Sequence, residues 1–223
     1  MNKIYQIIGA LVLTTTTAMS DYGGIFVGAG LGVGMMRNDT KYVDATQGEG
    51  KSTVAKLGAY YQLHAGYLHE VGTSKTLVGG DIYVNGSSAK KLNNVGVDGG
   101  AIAGTIEQKR STGVGIAAIL GKLINPKVMI YGRVGYELSK YDMKLNLIGV
   151  TPKSFTKSYN GIVPGVGLNY KIAHNMMIGG GYDYTGLFSN KTVYQNGDVN
   201  IQVKPAEHRM MVKLTFVFNP STC

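Results

Sequence analysis

The chain has 223 residues, a formal net charge of +9, 33 Gly, 15 Tyr, no Trp and a single Cys. One cysteine closes no disulfide scaffold, and 44% hydrophobic residues are too many for a disordered tail. No run of about 18 apolar residues is present for a helical membrane span, and 16% charged residues is low for a soluble domain, so the length is read as one barrel-sized domain.

Residues 1–20 read as an export signal peptide. Met1–Asn2–Lys3 is a short positive start, Ile4 to Leu13 is apolar, and Ala18–Met19–Ser20 offers the small residues that a signal peptidase requires. Cleavage is expected after Ser20. An exported chain is expected to have no nucleic-acid partner, so its positive charge serves another purpose.

From residue 25 onward the pattern has period two. Ile25, Val27, Ala29, Leu31, Val33 and Met35 share one parity, while Phe26, Gly28, Gly30, Gly32 and Gly34 share the other. That is strand spacing, with side chains on alternate faces. The Gly run does not build a nucleotide loop, because no helical pattern follows it. The alternation returns over 56–67, 78–84, 113–121, 128–138, 162–171, 178–184 and 209–218. One face of every segment is uncharged. The other carries Lys56, His64, Asp81, Arg133, Glu137, Lys171, Asp183, Arg209 and Lys213, together with most of the Gly. An uncharged face for lipid and a small, sparsely charged face for a narrow lumen predict an all-β fold. It is an eight-stranded antiparallel up-and-down transmembrane β-barrel over 21–218, followed by a tail at 219–223.

Connection lengths set the orientation. The long gaps are 37–54, 86–111, 140–159 and 188–206, and the short ones are Val71–Ser74, Leu123–Lys127 and Ile172–Asn175. Long and short alternate, as outer loops and periplasmic turns do. Lipid-facing aromatics then form two girdles, with Tyr67, Tyr170 and Phe218 at the periplasmic end and Tyr136, Tyr182 and Tyr184 at the outer end. Pro164 lacks an N–H and is expected to mark a bulge. The Gly-rich, charge-poor stretch 94–104 is expected to be a flexible part of the longest loop.

The opening GGIFVGAGLGVGMM, the eight alternating runs and the closing MMVKLTFVF resemble the small bacterial outer-membrane β-barrel family. That family includes the OmpA transmembrane domain, OmpX and Opa-like surface proteins. The resemblance spans the mature chain and implies a bacterial outer-membrane location. It also implies insertion by the barrel-assembly machinery, with Phe218 as the terminal aromatic although NPSTC follows it. The role it implies is structural or adhesive, either membrane integrity or host-surface contact. The alternative is a small porin or low-conductance channel. A lipid-modifying enzyme stands third, because barrel acyl hydrolases carry Ser and His on the lipid face and these outward faces carry neither.

The inward charges are expected to form a network that fills the lumen, because an unpaired buried charge is costly. A turn at Val71–Ser74 would set His64 opposite Asp81. A register with Gly186 beside His208 would put Asp183 diagonally between Arg209 and Lys213. Arg133 would face Ala117 and reach across the lumen to Asp81 or the level of Glu137. No catalytic residue is assigned. His64, His69, His174 and His208 lack ligand spacing and Cys223 lacks a partner, so no metal or cofactor is implied. The second and third loops are net basic. Lys90, Lys91, Lys109 and Arg110, with Lys140, Lys144, Lys153 and Lys157, are candidate contacts for lipopolysaccharide phosphates or anionic host glycans. The expected surroundings are outer-membrane lipid and lipopolysaccharide, and the expected state is monomeric.

Overall fold

The computed structural model describes residues 22–44, 48–72, 74–96, 103–147, 151–187, 191–196 and 199–218. The export segment, the tail with Cys223 and the centre of the 94–104 stretch lie outside the described residues. The strands are β1 (Gly24–Asp44), β2 (Gly48–Val71), β3 (Thr76–Ser87), β4 (Lys90–Gly96) and β5 (Ala103–Asn125). They continue with β6 (Val128–Leu147), β7 (Lys153–Ala173), β8 (Met176–Leu187), β9 (Lys191–Asn196) and β10 (Val199–Phe218). Neighbours pair antiparallel in the order β1-β2-β3-β5-β6-β7-β8-β10, and β1 pairs with β10 to close the ring. The barrel therefore has eight staves. β4 continues the place of β3 beside β5, and β9 continues that of β8 beside β10.

Side-chain alternation explains the closure. Leu31, Ile82, Ile116, Val134, Val166 and Met210 stand outward and are more than half exposed. Only lipid accepts such a band, and only a closed ring leaves no unpaired backbone facing it. Their neighbours along each strand point into the lumen and are buried.

Within the described residues the long connections are strand, not loop. β2 runs for 24 residues, whereas about 9–11 suffice to cross a bilayer. On β6 the outward residues change from Val134, Tyr136 and Leu138 to Lys140, Asp142 and Lys144, while the inward ones become Tyr141, Met143 and Leu145. The period persists but its polarity reverses, because water has replaced lipid outside the wall. A search for an uncharged outer face ends where this reversal begins, which is why residues 140–147 read as loop.

Above the reversal the ring opens into two sheets. The β2–β3 ladder ends at Tyr60↔Ser87 and the β7–β8 ladder at Gly161↔Leu187. Beyond those points β9-β10-β1-β2 form one sheet and β4-β5-β6-β7 the other. Their inner faces share an apolar cluster: Met36, Ile201 and Val203 from the first sheet, Ile106, Tyr141, Met143, Leu145 and Tyr159 from the second, and Leu187 at the end of β8. Each fully buried side chain of this size contributes about 1.5–3 kcal/mol, so the extension has a core of its own.

The short-turn end carries a second apolar plug. Tyr22, Phe26, Leu68, Leu77, Met129, Met177 and Val217 are buried together there. The tight turn after β2 lies at Gly72–Lys75, with Gly72 and Lys75 at φ of 62° and 56°. Val71 therefore pairs with Thr76, and the hairpin register differs by two residues from one built on Val71–Ser74. Pro164 produces no bulge. The β7–β8 register is the same on either side of it, Ile162↔Gly186 and Gly165↔Asp183, with the intervening pairs absent.

Candidate functional site

The lumen holds two stacked charge layers between the apolar plugs. The upper layer is built on Glu137 of β6, which is fully buried. Arg209 of β10 donates to both its oxygens at 2.8 and 3.0 Å, and Arg110 of β5 donates at 2.6 Å. Ser139 and Asn85 also donate to Glu137, at 2.6 and 3.0 Å. Glu207, two residues before Arg209 and so on the same face, accepts from Arg110, from Arg209 at 3.2 Å and from the Tyr141 hydroxyl at 2.8 Å. Both guanidiniums lie over the Tyr60 ring, at 5.4 and 5.0 Å. Two cations meet two carboxylates, and the bidentate Arg209–Glu137 geometry is the strong form of such a pair.

Arg110 reaches this layer because of an irregularity in β5. The β5–β6 ladder shifts between Arg110 and Gly113. Below the shift the odd-numbered Gly113, Gly115 and Ala117 point inward, and above it the even-numbered Ile106, Gln108 and Arg110 do. A bulge of this kind re-aims a side chain by changing the parity of everything beyond it. Arg110 is thus a lumen residue with no exposure, not a surface contact.

The lower layer centres on Arg133. It faces Ile119 and Gly165, not Ala117, and reaches Asp81 of β3 at 3.2 Å and Asp183 of β8 at 3.5 Å. Its guanidinium lies 4.7 Å over the Tyr83 ring, and Lys213 is buried in the same layer. Asp183 sits directly opposite Arg209, not diagonal to it, because Gly186 pairs with Ala206. The two-residue hairpin shift places His64 opposite Tyr83 and Asp81 opposite Gly66. His64 then meets Thr215 at 3.3 Å and the Phe26 ring at 5.8 Å, so it makes no base-and-orienter pair with Asp81. The residual cavity beside these groups is about 30 Å³, room for one water. Among the described residues, these paired charges brace strands against one another across the filled lumen.

Two further inward assignments change. Lys56 is exposed at the open edge of β2, above the lumen. Lys171 is half-buried at the short-turn mouth, with its ammonium 5.7 Å from the Tyr22 ring. Sequence reasoning misses Glu207, Asn85 and Thr185 in the lumen, whereas Tyr60 is inward by parity and is missed only as a member of the charge layer. Glu207 has a legible signal, its even spacing from Arg209, but it falls between the expected loop at 188–206 and the alternating run at 209–218.

The remaining basic residues divide by face. Lys90, Lys109, Lys140 and Lys144 stand on the outward side of the second sheet, with Lys109 beside Asp142 and Lys144 beside Glu107 in register. Lys90 pairs with Glu107 at 3.0 Å. Lys153 is exposed at the start of β7, while Lys157 is half-buried on the inner face, 5.8 Å from the Phe155 ring. The Lys91 side chain lies outside the described residues. Tyr67, Tyr170 and Phe218 ring one end of the barrel and Tyr136 and Tyr184 the other, all outward and exposed. Tyr182 is half-buried and hydrogen-bonds His208 at 2.6 Å.

A family model described as "Outer membrane protein beta-barrel domain" matches residues 7–216. The outer membrane protein OprG from Pseudomonas aeruginosa is 13% identical, with a TM-score of 0.58 over 88% of this chain and 97% of that one. Neisserial surface protein A is 16% identical, with a TM-score of 0.42 over 87% and 97%. The attachment invasion locus protein Ail of Yersinia pestis is 16% identical, with a TM-score of 0.34 over 84% and 99%. These likenesses are of fold. No curated protein matches the chain.

Proposed function

Since the chain belongs to the outer-membrane protein β-barrel family, and so resides in the bacterial outer membrane, we propose that it acts as a sealed barrel displaying a rigid two-sheet extension. The extension serves contact with the environment, either by stabilising the lipopolysaccharide leaflet or by holding anionic host-surface glycans. The observation supporting this reading is how the lumen is filled among the described residues: apolar plug, two paired charge layers, apolar core. A barrel so filled works through its surface. The second sheet supports a contact role, because its outward face carries Lys90, Lys109, Lys140 and Lys144 on a rigid backbone. Lysines presented on paired strands lose less freedom on binding than lysines on a loop.

The test has two arms. Refolded protein in planar bilayers should show no steady conductance; steady, high conductance would assign it as a porin. Cells expressing the protein should retain heparin-coated beads, and Lys109→Gln with Lys140→Gln and Lys144→Gln should reduce retention several-fold, with the loss mimicked by added salt. Unchanged retention would remove the glycan reading and leave the structural one.

A further inference from the structure

A groove of about 570 Å³ opens on the outside of the barrel at the level of the Tyr136–Tyr184 girdle. It exists because β8 stops at Leu187, while β7 turns away with the second sheet and β10 continues with the first. Ile162 and Pro164 of β7 form its apolar wall, and Gly186 and Tyr184 form its floor. The opposite wall is polar, with Lys204 and His208 from β10 and Arg37 and Asp39 from β1. Among the described residues, Asp39 is the one carboxylate lining it, and it is engaged by Arg37 at 3.2 Å and by Thr53 at 2.8 Å. His208 is held in place by Tyr182 at 2.6 Å and lies 4.9 Å from the Tyr184 ring.

We propose that this groove binds the phosphorylated headgroup of an outer-leaflet lipid. Lys204 and Arg37 would face the phosphate, and the first part of an acyl chain would lie on Ile162 and Pro164. The position selects a lipid over a soluble anion, because the groove opens sideways at the membrane rim, where a lipid phosphate already resides. Its two walls match the two halves of such a molecule: cations on the β10 and β1 side for the headgroup and apolar surface on the β7 side for the chain. Arg and Lys suit a phosphate oxygen cluster, and the local charge remains positive after Asp39 is counted. The volume falls within the range of small-molecule sites. This inference rests on the membrane location alone and is independent of any host contact.

The test uses the full chain in phosphatidylcholine nanodiscs doped with diphosphoryl lipid A, with retained lipid counted by native mass spectrometry. One lipid A should survive release from the nanodisc. Arg37→Gln with Lys204→Gln should lower the retained fraction about tenfold, and dephosphorylated lipid A should bind as weakly as that variant does to the intact lipid. Gly186→Leu should lower retention with every charge left in place, because it fills the floor; its Cβ would stand 3.3 Å from the Tyr184 ring, which must yield slightly. Lys122→Gln with Lys127→Gln, exposed at the short-turn end of the barrel, should change nothing. Equal retention by the Arg37/Lys204 variant, equal binding of the dephosphorylated lipid, or equal loss from the Lys122/Lys127 variant would overturn the site. Complete displacement by inorganic phosphate would overturn the assignment to a lipid. Heat-shifted migration in detergent gels confirms that each variant is folded.

Discussion

Replacing Arg110 by Met tests the bulge in β5 and the upper charge layer together. Arg110 bridges Glu207 and Glu137 and also donates to Asn85 and Ser139. Without it, Glu137 keeps its bidentate Arg209, but Glu207 retains only the Arg209 Nε at 3.2 Å and the Tyr141 hydroxyl at 2.8 Å. One cation then serves two carboxylates in a region closed to water. Breaking a buried pair from one side costs about 3–5 kcal/mol, so a loss of that size is expected. Adding Glu207→Gln removes the orphaned charge and should recover roughly 2 kcal/mol, a coupling that independent sites do not show. The assay is urea unfolding of the refolded barrel in short-chain lipid bilayers. Far-ultraviolet circular dichroism serves as the readout, since the chain has no Trp. Lys109→Met, one residue away and exposed, should stay within about 0.5 kcal/mol of the parent. If Arg110→Met proves as mild as Lys109→Met, Arg110 is outside the lumen and the parity change is refuted.

Three further outcomes follow from the same geometry. Val134→Arg, on the lipid face, should cost about 2–4 kcal/mol in bilayer refolding titrations, whereas Thr156→Arg, outward on β7 above the polarity reversal, should cost less than about 1 kcal/mol. Equal costs would erase the reversal. Tyr141→Phe removes the hydroxyl that donates to Glu207 and should destabilise by roughly 1.5–3 kcal/mol, the range for a buried bond to a charged group. Intact cells treated with trypsin should resist cleavage at Lys140 and Lys144, because both lie within paired strand; rapid cutting there would restore the loop reading.

Much of this molecule was legible in its residues, for a simple reason. Period two assigns each side chain to a face without any knowledge of its neighbours. Leu31, Val134 and Met210 announce a lipid-facing wall, and Asp81, Arg133, Glu137, Asp183, Arg209 and Lys213 an ionic lumen, whichever strand each one meets. That Arg133 lacks a partner on the neighbouring strands is also readable, from the uncharged residues beside it; its carboxylates lie two staves away on either side, on β3 and β8, and not across the barrel. Register was not. Sliding one strand by two residues against its neighbour keeps every side chain on its face, so inward placement of His64 and Asp81 is equally consistent with a pair and with none. The backbone of the Gly72–Lys75 turn made that choice, and it set His64 against Tyr83.

Two other decisions belonged to the tertiary structure. The bulge between Arg110 and Gly113 changes parity, and nothing in the identity of those residues marks where the extra step is taken. The medium outside the wall also changes partway along each strand. Lys140, Asp142 and Lys144 mean loop if lipid is assumed outside, and strand if water is. The alternation of Tyr141, Met143 and Leu145 becomes a core only when the facing sheet delivers Met36, Ile201 and Val203 to cover it. Local pattern determines which way a side chain points, and only the assembled sheets determine what it points at.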